Sequence, residues 1–471
     1  MGNMSLVFEI IQTVLSEPSK FIRERAELNL PDLTSSFPFR KKQREAVELS
    51  LSNTPVVAIS GTPASGKTEI ALAALATAIA HQRSTLLVAP FASTFKRYMQ
   101  LPLPPLEITS DRDYRQNVKT WLTQQLSKPK LDFLPSHWLQ DSLFEELQTK
   151  RDRQFWLKLL REEDPLQKTK KLTQAIAEIF PTIHPKRQEL LVYRLSKSET
   201  LLEQRELLHQ DYTTLSEYGI EQIIDAALPH IKAPILCLSD RLALLGERTF
   251  DLVIVEDSHY LDDSRLTAIA NCAKKIVLLG ELREHRNLFD KLFQNLSPAY
   301  RIQLTENHRL HPDLAHKIFT ALYPLQSTPY TPSSYKHSPL SQGQYRLNWL
   351  NIKTVEQIPK VLQQSLESVS EQQSYILTFS SGLCERLQQI PYLSKFNIST
   401  VKDWNGRECQ TLWIICDKSD QVQPNSANLC LALTRASNTI TIIGDWEYYQ
   451  KIFDSLGSDF HFVRAIAIKE D

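Results

Sequence analysis

Residues 55–80 read PVVAISGTPASGKTEIALAALATAIA. A short apolar run gives way to a glycine-bounded loop, which gives way to a long run of strong helix formers. The continuous apolar character of the first part fits a strand buried on both faces of a parallel sheet. The last part fits a helix packed on that sheet. Between them, residues 61–68 fit G-x-x-x-x-G-K-[ST]. Backbone N–H groups of such a loop surround a phosphate, and the helix N-terminus favours its negative charge. Gly61, Thr62, Pro63, Ala64, Ser65, Gly66, Lys67 and Thr68 are therefore candidate nucleotide-binding residues. Lys67 is placed to reach the β- and γ-phosphates, and the Thr68 hydroxyl to bind Mg²⁺.

A parallel sheet needs further strands, and the sequence offers two groups. The first continues at 85–90, 234–239, 251–256 and 275–281; the second occupies 374–379, 398–401, 411–416 and 439–444. Two groups predict two α/β domains. Residues 101–230 carry no strand-like run and repeat Leu, Phe and Trp at three- and four-residue spacing, which predicts a helical insertion in the first domain. The first 38 residues read mostly helical. The Pro- and Ser-rich stretch 324–343 predicts a surface excursion.

With 54 basic and 54 acidic residues the chain is formally neutral. That argues mildly against a purely electrostatic nucleic-acid binder and confines any such grip to a local groove. The six cysteines make no C-x-x-C pair, which argues against a zinc ribbon and fits a reducing cytosol. The amphipathic N-terminus is a poor signal peptide, and no stretch is apolar enough to span a membrane. A soluble, intracellular, cytoplasmic protein is expected.

Seven blocks lie in order around the loop: FRKKQREAV, LLVAPFASTFKR, FDLVIVEDSHY, IVLLGELRE, LTENHRLHPDL, STVKDWNGRE and LCLALTRASNTITIIGD. Together they resemble superfamily 1 helicases, a group of helicase-like P-loop NTPases, and most of all the branch holding the nonsense-mediated-decay RNA helicase and its DNA-helicase relatives. The resemblance covers residues 39–100 and 234–446. It implies two tandem RecA-like domains with parallel sheets, the first built from 39–100 and 231–298 around the insertion 101–230, the second from 299–471, with 1–38 as an N-terminal helical segment. It implies ATP in the cleft between those domains. Gln43 resembles the glutamine that reads adenine, His308 stands where a tyrosine would stack on it, and Glu408 resembles the acid that holds the ribose. Arg309 and Arg435 resemble the two arginines that reach the γ-phosphate. Glu256 and Asp257 occupy the Mg²⁺ and water-polarising positions. Glu284 stands at the γ-phosphate sensor. Single-stranded DNA or RNA would lie along Ser93, Thr94 and Thr400, with Phe91 and Trp404 as candidate stacking rings, against the ordinary reading of both as core or interface residues.

Several positions depart from that family. The carboxylates run Glu-Asp where Asp-Glu is usual. A longer acid still reaches a cation, but the shortened Asp257 loses reach toward an attacking water, and such misplacement costs about 10²-fold in rate. A compensated swap and a decayed site both fit. Ala64 replaces a glycine, which strains the loop if that position needs φ > 0. Glu284 replaces a glutamine, and Asn405 another. Related helicases carry a small β-barrel before the glutamine motif; the residues before Gln43 read mostly helical, so that barrel is not expected here. The resemblance implies an ATP-dependent helicase or translocase. The rival is an ATP-binding switch or assembly subunit with weak hydrolysis that docks a protein partner through 101–230.

Overall fold

A computed structural model describes residues 5–17, 39–101, 103–127, 146–147, 150–151, 153–196, 233–282, 287–307, 318, 331–332, 346–366, 374–401, 404, 409–418, 429, 432–453 and 461–463. The chain divides into two compact units. One holds Met1–Ile59, Thr68–Gly280 and Lys291–Ile302; the other holds Ser60–Lys67, Glu281–Asp290 and Gln303–Asp471.

The first sheet has seven strands: β1 (Val56–Gly61), β2 (Thr85–Ala89), β3 (Leu106–Ile108), β4 (Ile235–Leu238), β5 (Leu252–Val255), β6 (Ile276–Gly280) and β7 (Arg301–Leu304), ordered β3-β4-β2-β5-β6-β1-β7. β2 pairs in parallel with β4 and β5, β4 with β3, and β5 with β6. β1, β2, β5 and β6 are buried at every residue, which is why their sequences are uninterrupted apolar runs. β3 corrects the expectation that 101–230 lacks strands. Its two apolar side chains, Leu106 and Ile108, are buried on either side of exposed Glu107, and three residues beside a proline cluster are too short to read as a run.

Four helices join the sheet: α1 (Leu6–Ser16), α2 (Lys41–Leu51), α3 (Lys67–Ala80) and α4 (Tyr114–Ser127). α1 follows the expected amphipathic spacing, burying Val7, Ile10, Ile11 and Val14. Its cap Ser5 accepts from Phe8 N–H and donates to the carbonyl of Ala270. Further on come α5 (Arg153–Leu160), α6 (Pro165–Ile179) and α7 (Pro185–Ser196). These three close their own core around Trp156, Leu160, Leu172, Ile176 and Leu195. Helices α8 (Asp263–Asn271) and α9 (Leu288–Asn295) follow β5 and β6.

Beyond the short pair β8 (Glu306–Asn307) and β9 (Thr331–Pro332) lies the second sheet. Its strands are β10 (Arg346–Asn351), β11 (Ser374–Thr378), β12 (Asn397–Thr400), β13 (Cys409–Ile415), β14 (Ala436–Gly444) and β15 (His461–Val463), ordered β12-β11-β13-β14-β10-β15 and parallel throughout. β13 shows the two-residue period of a strand covered on both faces. Leu412 and Ile414 enter one core with Trp349 and Tyr449, while Trp413 and Ile415 enter another with Leu362 and Leu383. Helices α10 (Ile358–Leu366), α11 (Ser381–Gln388) and α12 (Trp446–Phe453) cover these faces. The molecule is thus an α/β protein with two tandem parallel sheets of RecA-like type. The stretch 324–343 lies outside the described residues apart from 331–332.

Candidate nucleotide and nucleic-acid site

In parallel α/β sheets, ligands bind outside the carboxyl ends of the strands. The described candidate residues around the first sheet, apart from Gln43 on α2, fall in the segments that follow β1, β2 and β5.

After β1 the loop turns tightly, with Ser65 N–H donating to the Thr62 carbonyl at 3.2 Å. A Cβ on Gly61 would stand 2.3 Å from Ser65 Oγ and 3.1 Å from Leu304 Cβ, so a larger residue there would have to turn the Ser65 hydroxyl away and crowd its neighbours. Gly66 has φ +89° and Ala64 φ +66°. Ala64 therefore holds a left-handed backbone that disfavours a Cβ by about 1 kcal/mol, as its replacement of a glycine led us to expect. Lys67 and Thr68 open α3. Lys67 is 8% exposed, and its Nζ donates to the carbonyls of Gly61 at 2.7 Å and Thr62 at 3.0 Å. Glu281 Oε1, in the loop after β6, lies 3.6 Å from the same nitrogen. Thr62 Oγ1 is buried with no hydrogen-bond partner among the described residues. A buried ammonium, an unsatisfied hydroxyl and a helix N-terminus suit a phosphate chain. Pro63 and Thr68 are half-buried.

After β5 come the two carboxylates. Glu256 is 3% exposed, and its N–H continues the ladder to Val88 O at 2.9 Å. The hydroxyl of Tyr98 donates to Glu256 Oε1. Tyr98 is itself fully buried, in the 3-10 segment Ala92–Gln100. Burial pushes its phenol well above the ordinary value, and the Glu256 charge pushes it further, so the hydroxyl stays protonated and remains the donor. Asp257 is half-buried, with φ 49° and ψ 41°, a left-handed conformation that aspartate tolerates better than most residues. Among the described residues no three His, Cys, Asp or Glu gather to hold a metal. The buried Glu256 carboxylate is a donor of the type that suits Mg²⁺, which is commonly held by one or two carboxylates together with substrate phosphates.

After β2 lies the candidate strand-binding stretch. Phe91 is 39% exposed and meets Tyr260, 40% exposed, edge to face at 5.5 Å and 77°. Ser93 and Thr94 are half-buried, and Ser93 Oγ is enclosed without a partner among the described residues. In the second sheet's unit, Thr400 is buried at the end of β12. Trp404, 2% exposed, sits in the core edge-on to Tyr375 at 4.3 Å. Its ring is covered by protein, in keeping with the core reading set beside the stacking one.

Gln43 is 3% exposed on α2, and its Oε1 accepts from Arg40 N–H at 3.0 Å. Arg435 is half-buried, its carbonyl accepting from Cys409 N–H. Glu284, His308, Arg309 and Glu408 lie outside the described residues. Tyr98, Tyr260 and Glu281 were missed by sequence reasoning. The last two stand inside quoted blocks, next to residues that were singled out.

No protein-family model matches the chain. No curated protein matches it either. Among solved structures it is similar to the helicase of PRRSV, with 11% identity and TM-score 0.39 over 87% of this chain and 56% of that one. It is also similar to arterivirus nonstructural protein 10, a helicase, with 10% identity and TM-score 0.38 over 88% of this chain and 64% of that one. A complex of arterivirus nonstructural protein 10 with DNA gives 10% identity and TM-score 0.36. The chain spans less than two thirds of the length of each. No described helix is long and apolar enough to cross a membrane.

Proposed function

We propose that the chain is an ATP-hydrolysing translocase of the superfamily 1 helicase kind, acting on single-stranded DNA or RNA. The observation that carries this reading is Lys67, a nearly buried ammonium whose hydrogen bonds go to the carbonyls of its own glycine-bounded loop. A triphosphate offers that nitrogen stronger acceptors than two neutral carbonyls.

The residues then take the following roles. Residues 61–68 cradle the phosphates, and Gln43, His308 and Glu408 hold the nucleoside. Thr68 and Glu256 would hold Mg²⁺, which would supply neutralisation of the phosphate charge. Asp257 orients the attacking water, Glu284 senses the γ-phosphate, and Arg309 and Arg435 offset the charge that develops in transfer. Ser93, Thr94 and Thr400 contact strand phosphates. Phe91 and Tyr260 offer base stacking, which tolerates any sequence. Residues 39–100 with 231–298 belong to the ATP-binding domain, whose sheet also takes in β7, and the second domain occupies the rest of 299–471.

A second reading keeps ATP binding but makes hydrolysis weak, with the 101–230 insertion as a partner-docking module. The separate core of α5–α7, with Leu166 81% and Tyr193 58% exposed, favours it. Steady-state ATP hydrolysis with and without single-stranded DNA or RNA separates the two. We expect strand-stimulated turnover that falls about 10²-fold or more in Lys67→Ala. Nucleotide binding without stimulated turnover would replace the translocase by the switch.

A further inference from the structure

Glu256 carries one more rotatable bond than the aspartate usual at its position. A longer side chain reaches further, but it must lose more rotamer freedom before its carboxylate stands still. The fold answers this with a contact outside any sequence block. Tyr98 arrives from the segment after β2, 158 positions away, and its hydroxyl donates to Glu256 Oε1 in a region closed to water. The residue before it, Arg97, pairs with Glu69 in the first turn of α3. Phe95, three residues back, is 1% exposed. The segment is thus pinned ahead of the tyrosine, and Leu101, three residues beyond it and 2% exposed, pins it behind, so the phenol cannot swing away without unpacking it.

We propose that Tyr98 is a positioning residue, which fixes the Glu256 carboxylate for the divalent cation that accompanies the bound nucleotide. The inference rests on the ATPase reading above. It explains how the Glu-Asp order serves as a compensated swap: the extra methylene lets the carboxylate meet the Tyr98 hydroxyl, and the hydroxyl removes the freedom that the methylene introduced. A partner of this kind orients a metal ligand without touching the metal, and its loss costs about 10- to 100-fold in metal affinity.

The test is the Mg²⁺ dependence of binding of a fluorescent ATP analogue to the full chain, read at equilibrium beside thermal melts. Tyr98→Phe keeps the ring and removes only the hydroxyl. We expect it to raise the half-saturating Mg²⁺ about tenfold or more, with binding of the Mg²⁺-free nucleotide unchanged. Glu256→Asp withdraws the carboxylate from the hydroxyl and is expected to weaken the Mg²⁺ response similarly. The double variant should be no worse than the weaker single, because both remove one contact. A Tyr98→Phe protein with wild-type Mg²⁺ dependence, or additive losses in the double variant, would overturn the proposal. Should Tyr98→Phe melt early, Glu256→Asp alone decides: an undiminished Mg²⁺ response there overturns it. A wild-type chain that binds no nucleotide would sink the ATPase reading itself. A Mg²⁺-responsive wild type with a matching Tyr98→Phe sinks only the role of Tyr98.

Discussion

Strands β5 and β6 meet charged side chains at both of their ends, and the two ends treat charge differently. At the amino ends main-chain groups take part in holding each residue. Asp251 accepts from Ser84 N–H at 2.9 Å, Ser84 Oγ at 2.8 Å and Lys274 Nζ at 2.8 Å. Lys275, 6% exposed, donates to the carbonyls of Leu49 at 3.0 Å, Ser52 at 2.8 Å and Thr54 at 2.7 Å, closing the end of α2. At the carboxyl ends the partners are side chains: Tyr98 for Glu256, and Lys67 for Glu281. Main-chain partners yield only when the fold opens. A side-chain partner can exchange at a ligand's arrival where it is free to turn, as Lys67 is, or stay and orient the charge where it is pinned, as Tyr98 is. Charge at the amino ends therefore serves stability, and charge at the carboxyl ends is available for chemistry.

The largest expected effect lies at a carboxyl end. Glu256→Gln keeps the shape and the acceptor oxygen but loses the charge that draws a cation. Strand-stimulated ATP turnover should fall about 10²-fold, with the melting temperature moved by no more than a few degrees. An active Glu256→Gln protein would break the comparison, because its carboxylate would then be structural like Asp251. The amino-end counterpart is Lys275→Met, which leaves three buried carbonyls without their donor. We expect a loss of about 3 kcal/mol in urea unfolding, with turnover per folded molecule unchanged. Burial draws the Lys275 ammonium down to about 7, with Arg83 adding to the pull. From about pH 7 to the unfolded lysine value near 10.4, the unfolded chain holds more protons at this site than the folded one, so stability rises with pH across that window. The gap between wild type and Lys275→Met should accordingly widen from pH 7 to pH 10. A gap that narrows would mean that the three carbonyls, and not burial, set the protonation of Lys275.

The same division governs what was legible in the sequence. Nine apolar runs were expected to be strands, and each holds one of β1, β2, β4, β5, β6, β11, β12, β13 and β14, because a strand buried on both faces must be apolar at every position. β10 was missed. Its RLNWLN alternates buried Leu347 and Trp349 with polar neighbours, and six such residues read equally well as a surface segment. The phosphate loop was legible since its geometry restricts residue type locally: a Cβ on Gly61 would crowd Ser65 and Leu304, and Gly66 needs a positive φ. Trp404 stayed open between a core and a stacking role because a tryptophan at a loop start looks alike in sequence whether its ring is covered by Tyr375 or open. Tyr98 left no trace, since its partner lies 158 residues away and a tyrosine in FKRYM obeys no spacing rule.

The smallest effect expected here concerns Glu281, and it sharpens the comparison most. Its carboxylate stands 3.6 Å from Lys67 Nζ, both side chains 8% exposed. If Lys67 exchanges partners on ligand arrival, a triphosphate must take it from Glu281 and then tolerate a like charge beside it. Glu281→Gln removes both penalties, while Lys67 keeps its two carbonyl bonds. Nucleotide should then bind about fivefold more tightly, roughly 1 kcal/mol, in an equilibrium titration at fixed Mg²⁺. Weaker binding would carry the opposite meaning: Glu281 would be aiming the ammonium at the phosphates and not holding it in reserve. The sign of this change decides whether the ion pair is a resting latch or a part of the loaded site, since only a latch competes with the ligand it admits.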